Sequence, residues 1–362
     1  MFKKILSIVT LVLIIIIVFG ALTQEVTIDD QTMFVWQALL QQLQTLNPLV
    51  LILLIPAQIL MYYAAGQMYF SFLRAKRNHL PSRWYLLRVS LEINFVNTAI
   101  PSGGASGFGY LAWRLRSLGV SAGQATFMHM LRFSISSVGN TIQTWISIIV
   151  VLISGSVIPG QEWVIWVAAL VAIGVEVGVV TAFIVVMSKR RINWFAKITS
   201  GFINSFIRIV TFGKKRSILA RAKVDKYFTD LHEDWLIFRH NKEAIIRPCI
   251  WGMLYAFLEI ATYWVVAIAL GQPGILPQIA IAEGVGSVIG TLLPTPGGIG
   301  GYEGAMIGIL WATGVDLRTA TIVVVVTRVV ILAGTVISGW GFYEHALLSK
   351  KGPKHARKPT KS

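Results

Sequence analysis

Two arginines lie inside long apolar stretches, Arg132 and Arg328, 196 positions apart. Each sits about ten residues into its stretch, which in a helix is ~15 Å and close to the middle of a bilayer. A lone guanidinium at that depth costs from ~2.5 to more than ~10 kcal/mol, so each needs a partner or water. Glu176 and Glu259 also fall mid-stretch and are candidate ion-pair partners or coupling groups, with Glu283 as a third. Glu92 and His129 read as local hydrogen-bonding groups. A Pro-Gly-Gly segment precedes each arginine. The first runs Asn97-Thr98-Ala99-Ile100-Pro101-Ser102-Gly103-Gly104; the second runs Pro294-Thr295-Pro296-Gly297-Gly298-Ile299-Gly300-Gly301-Tyr302-Glu303. A helix that begins at Gly103-Gly104 or Gly297-Gly298 would present unpaired backbone N–H groups and a positive dipole end, which together bind phosphate or carboxylate. The alternative is a tight turn required by packing. Glu303 falls in the first turn after Gly300-Gly301, where a carboxylate caps a helix; it could equally pair with an arginine or exchange a proton. The chemistry implied is anion binding, with Pro101, Gly103, Gly104, Arg132, Pro296, Gly297, Gly298, Gly300, Glu303 and Arg328 as the substrate-binding set. No catalytic residue, metal ligand or cofactor is expected. Cys249 is the single cysteine, and no G-x-x-x-x-G-K-[ST] string occurs.

The elements that hold these residues are membrane helices. With 55% hydrophobic and 13% charged residues and a mean hydropathy of +0.68, the chain is not a soluble domain. A net charge of +16 would suggest nucleic acid in a soluble protein. Here it reads as topology, because cytoplasmic loops collect Lys and Arg. Expected spans are Ile5–Leu22, Leu49–Leu73, Ala122–Ile153, Trp163–Met187, Pro248–Leu270 and Thr319–Tyr343. Of the 32 Lys and Arg, 27 fall at Lys3-Lys4, in Arg74–Arg88, in Lys189–Arg247 or after Glu344. The loops Thr23–Asn47, Ser154–Glu162 and Gly271–Pro277 hold none. Six spans with both termini cytoplasmic put every basic cluster inside, in a cell membrane. Ile5–Leu22 is long for a signal-peptide core and lacks a small-x-small cleavage site, so it reads as a span. The loop after it carries Glu25, Asp29 and Asp30.

Two regions remain. Trp84–Trp113 is broken at Pro101 and Gly103-Gly104, and Gln278–Thr313 at Pro294, Pro296 and its glycines. Each half is short for a crossing, so each region reads as a re-entrant hairpin of two half-helices, tolerated where protein or a wet cavity covers the backbone. Two short full crossings would give the same charge parity. The Gly-Gly pairs lie 194 residues apart and the Gly-Val pairs Gly119-Val120 and Gly314-Val315 lie 195 apart. Counting spans gives the two copies opposite orientation, the pattern of an inverted-topology repeat. The expected organisation is an all-α polytopic protein: a first repeat over residues 1–157, a second over 158–343 that carries a cytoplasmic insert at 188–247, and a basic tail over 344–362. In the insert, Ile192–Val210 mixes Trp194, Phe195 and Ile198 with Arg191 and Lys197, as in a helix lying on a membrane surface. Ser217–His240 reads as a second amphipathic helix, and Lys350–Ser362 as disordered.

The stretches Asn97–Arg132 and Pro294–Arg328 resemble the two signature regions of the flippase-like family, which includes the membrane region of lysylphosphatidylglycerol synthase. The string from Pro294 to Glu303 is the most specific match, and the resemblance covers most of the chain. It implies lipid movement between leaflets, without the soluble domain that adds the amino acid, and a possible homo-oligomer. Many members carry Gly-Glu after the first Pro; here Gly103-Gly104-Ala105-Ser106 stands, which suggests a different subgroup and leaves the headgroup preference open. The resulting expectation is a non-enzymatic lipid flippase or transporter that binds an anionic headgroup, driven downhill or by an ion. The alternatives are a transporter of a soluble anion, an accessory or catalytic subunit acting on lipid-linked glycans, and a scaffold.

Overall fold

The computed structural model describes residues 23, 25–28, 31–34, 37, 46–76, 81–100, 104–210, 221–293 and 295–348. The expected span Ile5–Leu22, the acids Asp29 and Asp30, Pro101, Gly103, Pro294 and the expected disordered segment Lys350–Ser362 lie outside the described residues. Near the N-terminus Glu25–Ile28 pairs antiparallel with Gln31–Phe34.

Helices then follow in chain order: α1 (Leu54–Lys76), α2 (Arg83–Ala99), α3 (Ala105–Leu115), α4 (Ala122–Ser154), α5 (Trp163–Met187), α6 (Lys189–Val210), α7 (Arg221–His240), α8 (Lys242–Ala269), α9 (Leu276–Leu292), α10 (Gly301–Ala312) and α11 (Leu317–Leu348). Their ends follow local chemistry. Ser82 Oγ accepts the Tyr85 N–H at the start of α2, and Ser121 forms a reciprocal cap with Gln124 at the start of α4. Gly155 closes α4 in a left-handed conformation at φ 62°.

Six segments among the described residues are long and apolar enough to cross a bilayer. Five coincide with expected spans. The sixth, Pro273–Leu292, contains the first limb of the second break and is 20 residues long. The sequence reading treated both limbs there as short. Its partner α10 has 12 residues, ~18 Å of helix, short of a ~30 Å hydrocarbon layer. On α5, Trp163, Trp166, Leu170, Ile173 and Val177 are exposed, an apolar face suited to lipid.

Packing interleaves the two halves. α2 packs on α11 and α9 packs on α4, so the first limb of each broken pair lies against the last long helix of the other half. α1 and α8 form the most extensive helix pair, at the centre. Small residues bring helices close: a Cβ on Gly139 of α4 would lie 2.8 Å from Ala256 Cβ of α8. The insert is packed against the bundle. Tyr227 Oη of α7 donates to Thr126 Oγ1 at 2.8 Å, and Ser121 Oγ donates to Asp230 at 2.6 Å. Ile192 and Ala196 of α6 are buried, while Trp194, Phe195 and Ile198 are exposed.

Candidate functional site

Arg328 lies eleven residues beyond the first residue of α11, ~16 Å along it. Its Nε donates to Glu303 Oε1 at 2.7 Å and its Nη2 to the Gly297 carbonyl at 2.6 Å. The Tyr302 ring faces its Cζ at 4.4 Å. The second Glu303 oxygen accepts the Gly300 N–H at 2.6 Å. One carboxylate therefore caps α10 and neutralises Arg328. The capping and the arginine-pairing readings of Glu303 are thus met by the same carboxylate. The partners considered for Arg328, Glu176 and Glu259, are not its partners. Glu176 makes no ion pair among the described residues.

The second break also differs from expectation. Pro296–Gly298 forms a turn of its own, and α10 begins only at Gly301. Gly297 meets the guanidinium with its carbonyl rather than its N–H. Gly298 has φ +72°, and a Cβ there would lie 2.9 Å from the Cα and the oxygen of Gly290. The close approach that fixes this glycine is to α9. Gly300, at φ +90°, donates its N–H to Glu303 and is taken up by the cap.

In the first break α3 begins at Ala105, preceded by Gly104 at φ 83°. Asn97 Oδ1 accepts the Gly107 N–H at 2.8 Å and the Ser106 hydroxyl at 3.1 Å, so part of this helix start is already satisfied. The two breaks touch. A Cβ on Gly297 would lie 3.2 Å from Cγ2 of Thr98, on the last turn of α2. The sequence anticipated two breaks; their contact depends on the fold.

Arg132 occupies the place in α4 that Arg328 occupies in α11, but its surroundings differ. No carboxylate lies within 4.0 Å of it among the described residues. Its Nε is buried without a hydrogen-bond partner. The guanidinium stands over the rings of Tyr255 at 5.2 Å and Tyr69 at 5.9 Å. The Tyr69 hydroxyl is 2.9 Å from His129 Nδ1. The cause is visible in the sequence. Gly107 stands 196 positions before Glu303, as Arg132 does before Arg328. At the third residue of α3, where α10 has its carboxylate, α3 has no side chain.

Glu259 and Glu283 converge on one amide. Asn140 Nδ2 lies 3.0 Å from Glu259 Oε2 and 3.4 Å from Glu283 Oε2. Glu283 is 1% exposed. Glu92 belongs elsewhere. It is fully buried and accepts from Arg88 Nε at 2.9 Å, Arg114 Nε at 2.7 Å and Tyr110 Oη at 2.9 Å, while Arg88 Nη2 continues to the Phe342 carbonyl at 3.1 Å. This cluster ties α2, α3 and α11. Arg88 and Glu92 were legible as an i,i+4 pair; Arg114 enters only through the break. The three amides Asn94, Asn97 and Asn140 were missed, although an amide in an apolar helix is itself a signal that a buried partner exists.

The family described as lysylphosphatidylglycerol synthase TM region matches residues 8–339. No curated protein and no solved structure matches the chain.

Proposed function

The chain belongs to the lysylphosphatidylglycerol synthase TM region family, and from that premise we propose that it binds a lipid with an anionic headgroup and moves it between leaflets. It is a multi-pass membrane protein. The observation that carries the reading is Arg132: a guanidinium deep in a membrane helix, with a buried Nε that no protein acceptor takes and no carboxylate in ion-pair range among the described residues. A buried cation without a close protein carboxylate keeps the capacity to pair with an outside anion, and a guanidinium fork fits phosphate. Tyr69 and Tyr255 supply ring faces beside it.

In this reading the headgroup enters where the two breaks meet, beside Thr98 and Gly297. Gly104 leaves room at the first break, since a Cβ there would meet nothing within 4 Å. Arg328 begins the cycle neutralised by Glu303 and contributes its charge only when that carboxylate lets go. The two breaks act as re-entrant hairpins of an inverted repeat; the exchange of α2 onto α11 and of α9 onto α4 supports this. The charge distribution supports cytoplasmic termini in a cell membrane.

The test is leaflet-resolved movement of fluorescent phosphatidylglycerol, phosphatidylethanolamine and phosphatidylcholine in liposomes that contain the purified protein. Phosphatidylglycerol should move fastest, and Arg132→Ala should stop it. Equal movement of all three lipids would remove the anionic preference. Uptake of a soluble anion without lipid movement would favour the alternative transporter.

A further inference from the structure

Two knots of polar side chains each tie three helices. In the first, Asn94 of α2 donates to Tyr62 Oη of α1 at 2.9 Å and to Thr335 Oγ1 of α11 at 3.1 Å, and Tyr62 and Thr335 share a hydrogen bond of 2.9 Å. In the second, Asn140 of α4 bridges Glu259 of α8 and Glu283 of α9. The helices correspond in chain order. α1 and α8 precede the broken pairs, α2 and α9 are their first limbs, and α11 and α4 are the long helices against which those limbs pack. Thr335 lies seven residues after Arg328, and Asn140 lies eight after Arg132. Three neutral groups are enough to tie the first set. The second set has two carboxylates at the equivalent place, so joining the helices does not account for them.

These carboxylates have no protein cation. No Lys, Arg or His lies within 4.0 Å of Glu259 or Glu283 among the described residues. Both oxygens reach the same nitrogen, so they are no farther apart than the two hydrogen-bond lengths combined. Two like charges that close, with little water, repel strongly, so the pair takes up a proton readily and carries both charges only with a cation's help. The other end of the bridging amide, Asn140 Oδ1, is buried and accepts no hydrogen bond. Turned over, that amide would offer its oxygen to a carboxyl O–H. The nearest cation is Arg132. It acts on Glu259 at longer range, with Tyr255 beside both.

We propose that Glu259 and Glu283 form the coupling site for a proton, and that its binding frees Arg132 to take the lipid headgroup. The proposal rests on the reading of Arg132 as the headgroup anchor. The proton leaves hydronium in the aqueous phase and forms an O–H bond on one carboxyl oxygen; nothing else is made or broken. With the pair fully charged, Arg132 serves as its distant counter-charge. With the proton bound, that demand falls and the guanidinium attracts an outside anion. Headgroup and proton then bind together, and one negative and one positive charge cross as a neutral set. The surrounding groups leave this task to the two acids. Facing them are Arg132 on α4, Tyr255 and Tyr263 on α8, Tyr62 on α1 and Tyr302 on α10, with Glu303 on α10 and Arg328 on α11 beyond Tyr263 and Tyr302. Glu303 and Arg328 neutralise each other, and the tyrosines are uncharged at neutral pH. Glu176 on α5 makes no ion pair among the described residues.

The experiment uses the full chain in liposomes that carry fluorescent phosphatidylglycerol, with a pH gradient imposed in either direction. The lipid should accumulate in one leaflet, reverse with the gradient and redistribute when a protonophore is added. Glu283→Gln and Glu259→Gln should each lose the accumulation. Movement that ignores the gradient, the protonophore and both variants would overturn the coupling and leave the flippase reading intact. If phosphatidylglycerol does not move at all, the headgroup reading fails for that lipid, and infrared spectroscopy of the same liposomes decides the proton site. A protonated carboxyl band at neutral pH, lost in the Glu259→Gln/Glu283→Gln double variant, supports the site; its absence from the unaltered protein overturns it.

Discussion

Glu303 reaches Arg328 at 2.7 Å with one oxygen and the Gly300 N–H at 2.6 Å with the other. The second half of the molecule thereby closes on itself: a helix start, a cation and a turn share one carboxylate. The first half has the same parts in the same order and leaves them open, because Gly107 stands in the corresponding place. Asn97 fills part of the gap with a neutral oxygen, which satisfies the Gly107 N–H and the Ser106 hydroxyl but does not balance Arg132.

The closed half predicts a stability effect. Arg328→Ala leaves Glu303 buried beside an empty site, and Glu303→Ala leaves Arg328 without its anion. Breaking a buried pair from one side costs about 3–5 kcal/mol. Either change should lower the midpoint of unfolding in detergent, and Glu303→Gln/Arg328→Gln should recover a large part of the loss. Full stability of Arg328→Ala would contradict the pair.

Arg132 should behave in the opposite way. Nothing in the protein is neutralised by it at close range, so Arg132→Ala should leave stability unchanged or slightly raised. Lipid movement should vanish, and Arg132→Lys should restore part of it, since Lys keeps the charge and loses the fork. Paired unfolding and scrambling measurements check this. Unfolding of Arg132→Ala would assign the residue to structure.

Much of this arrangement was legible and some was not. Apolar runs gave five of the spans that the described residues contain, because a bilayer imposes length and hydrophobicity directly on sequence. The Pro and Gly clusters located both breaks, since Pro removes a helix hydrogen bond and adjacent glycines weaken the helix further. Pairing was not legible. Arg328 chooses Glu303, 25 residues earlier, over mid-span Glu176 and Glu259, because the short connection between Ala312 and Leu317 folds α11 back along α10. The surroundings of Gly298 were not legible either: a glycine next to a candidate site looks the same in sequence whether a ligand or Gly290 approaches it.

The glycines of the two breaks should therefore separate. Gly298→Ala forces a Cβ against the backbone of Gly290 at positive φ, and should cost upwards of ~1–3 kcal/mol. Gly104→Ala meets no atom and bears only the left-handed backbone cost, ~1–2 kcal/mol. Thermal unfolding of the two variants should rank them in that order. Equal losses would mean that α9 yields to the new methyl group.

The sharpest test of the difference between the halves is to erase it. A Cβ on Gly107 would lie 2.6 Å from Asn97 Oδ1, so Asn97 must shrink to make room for a new side chain. Asn97→Ser/Gly107→Glu places a carboxylate at the third position of α3, where Glu303 sits in α10. That carboxylate should cap α3 and pair with Arg132, because α3 packs on α4 as α10 packs on α11. The closed first half should then be no less stable than the original and should no longer move phosphatidylglycerol, its cation having been neutralised from within. Asn97→Ser/Gly107→Gln, with the same shape and no charge, should keep more of the movement than the Glu variant. If the Glu and Gln variants move lipid equally well, Arg132 is not the group that receives the headgroup.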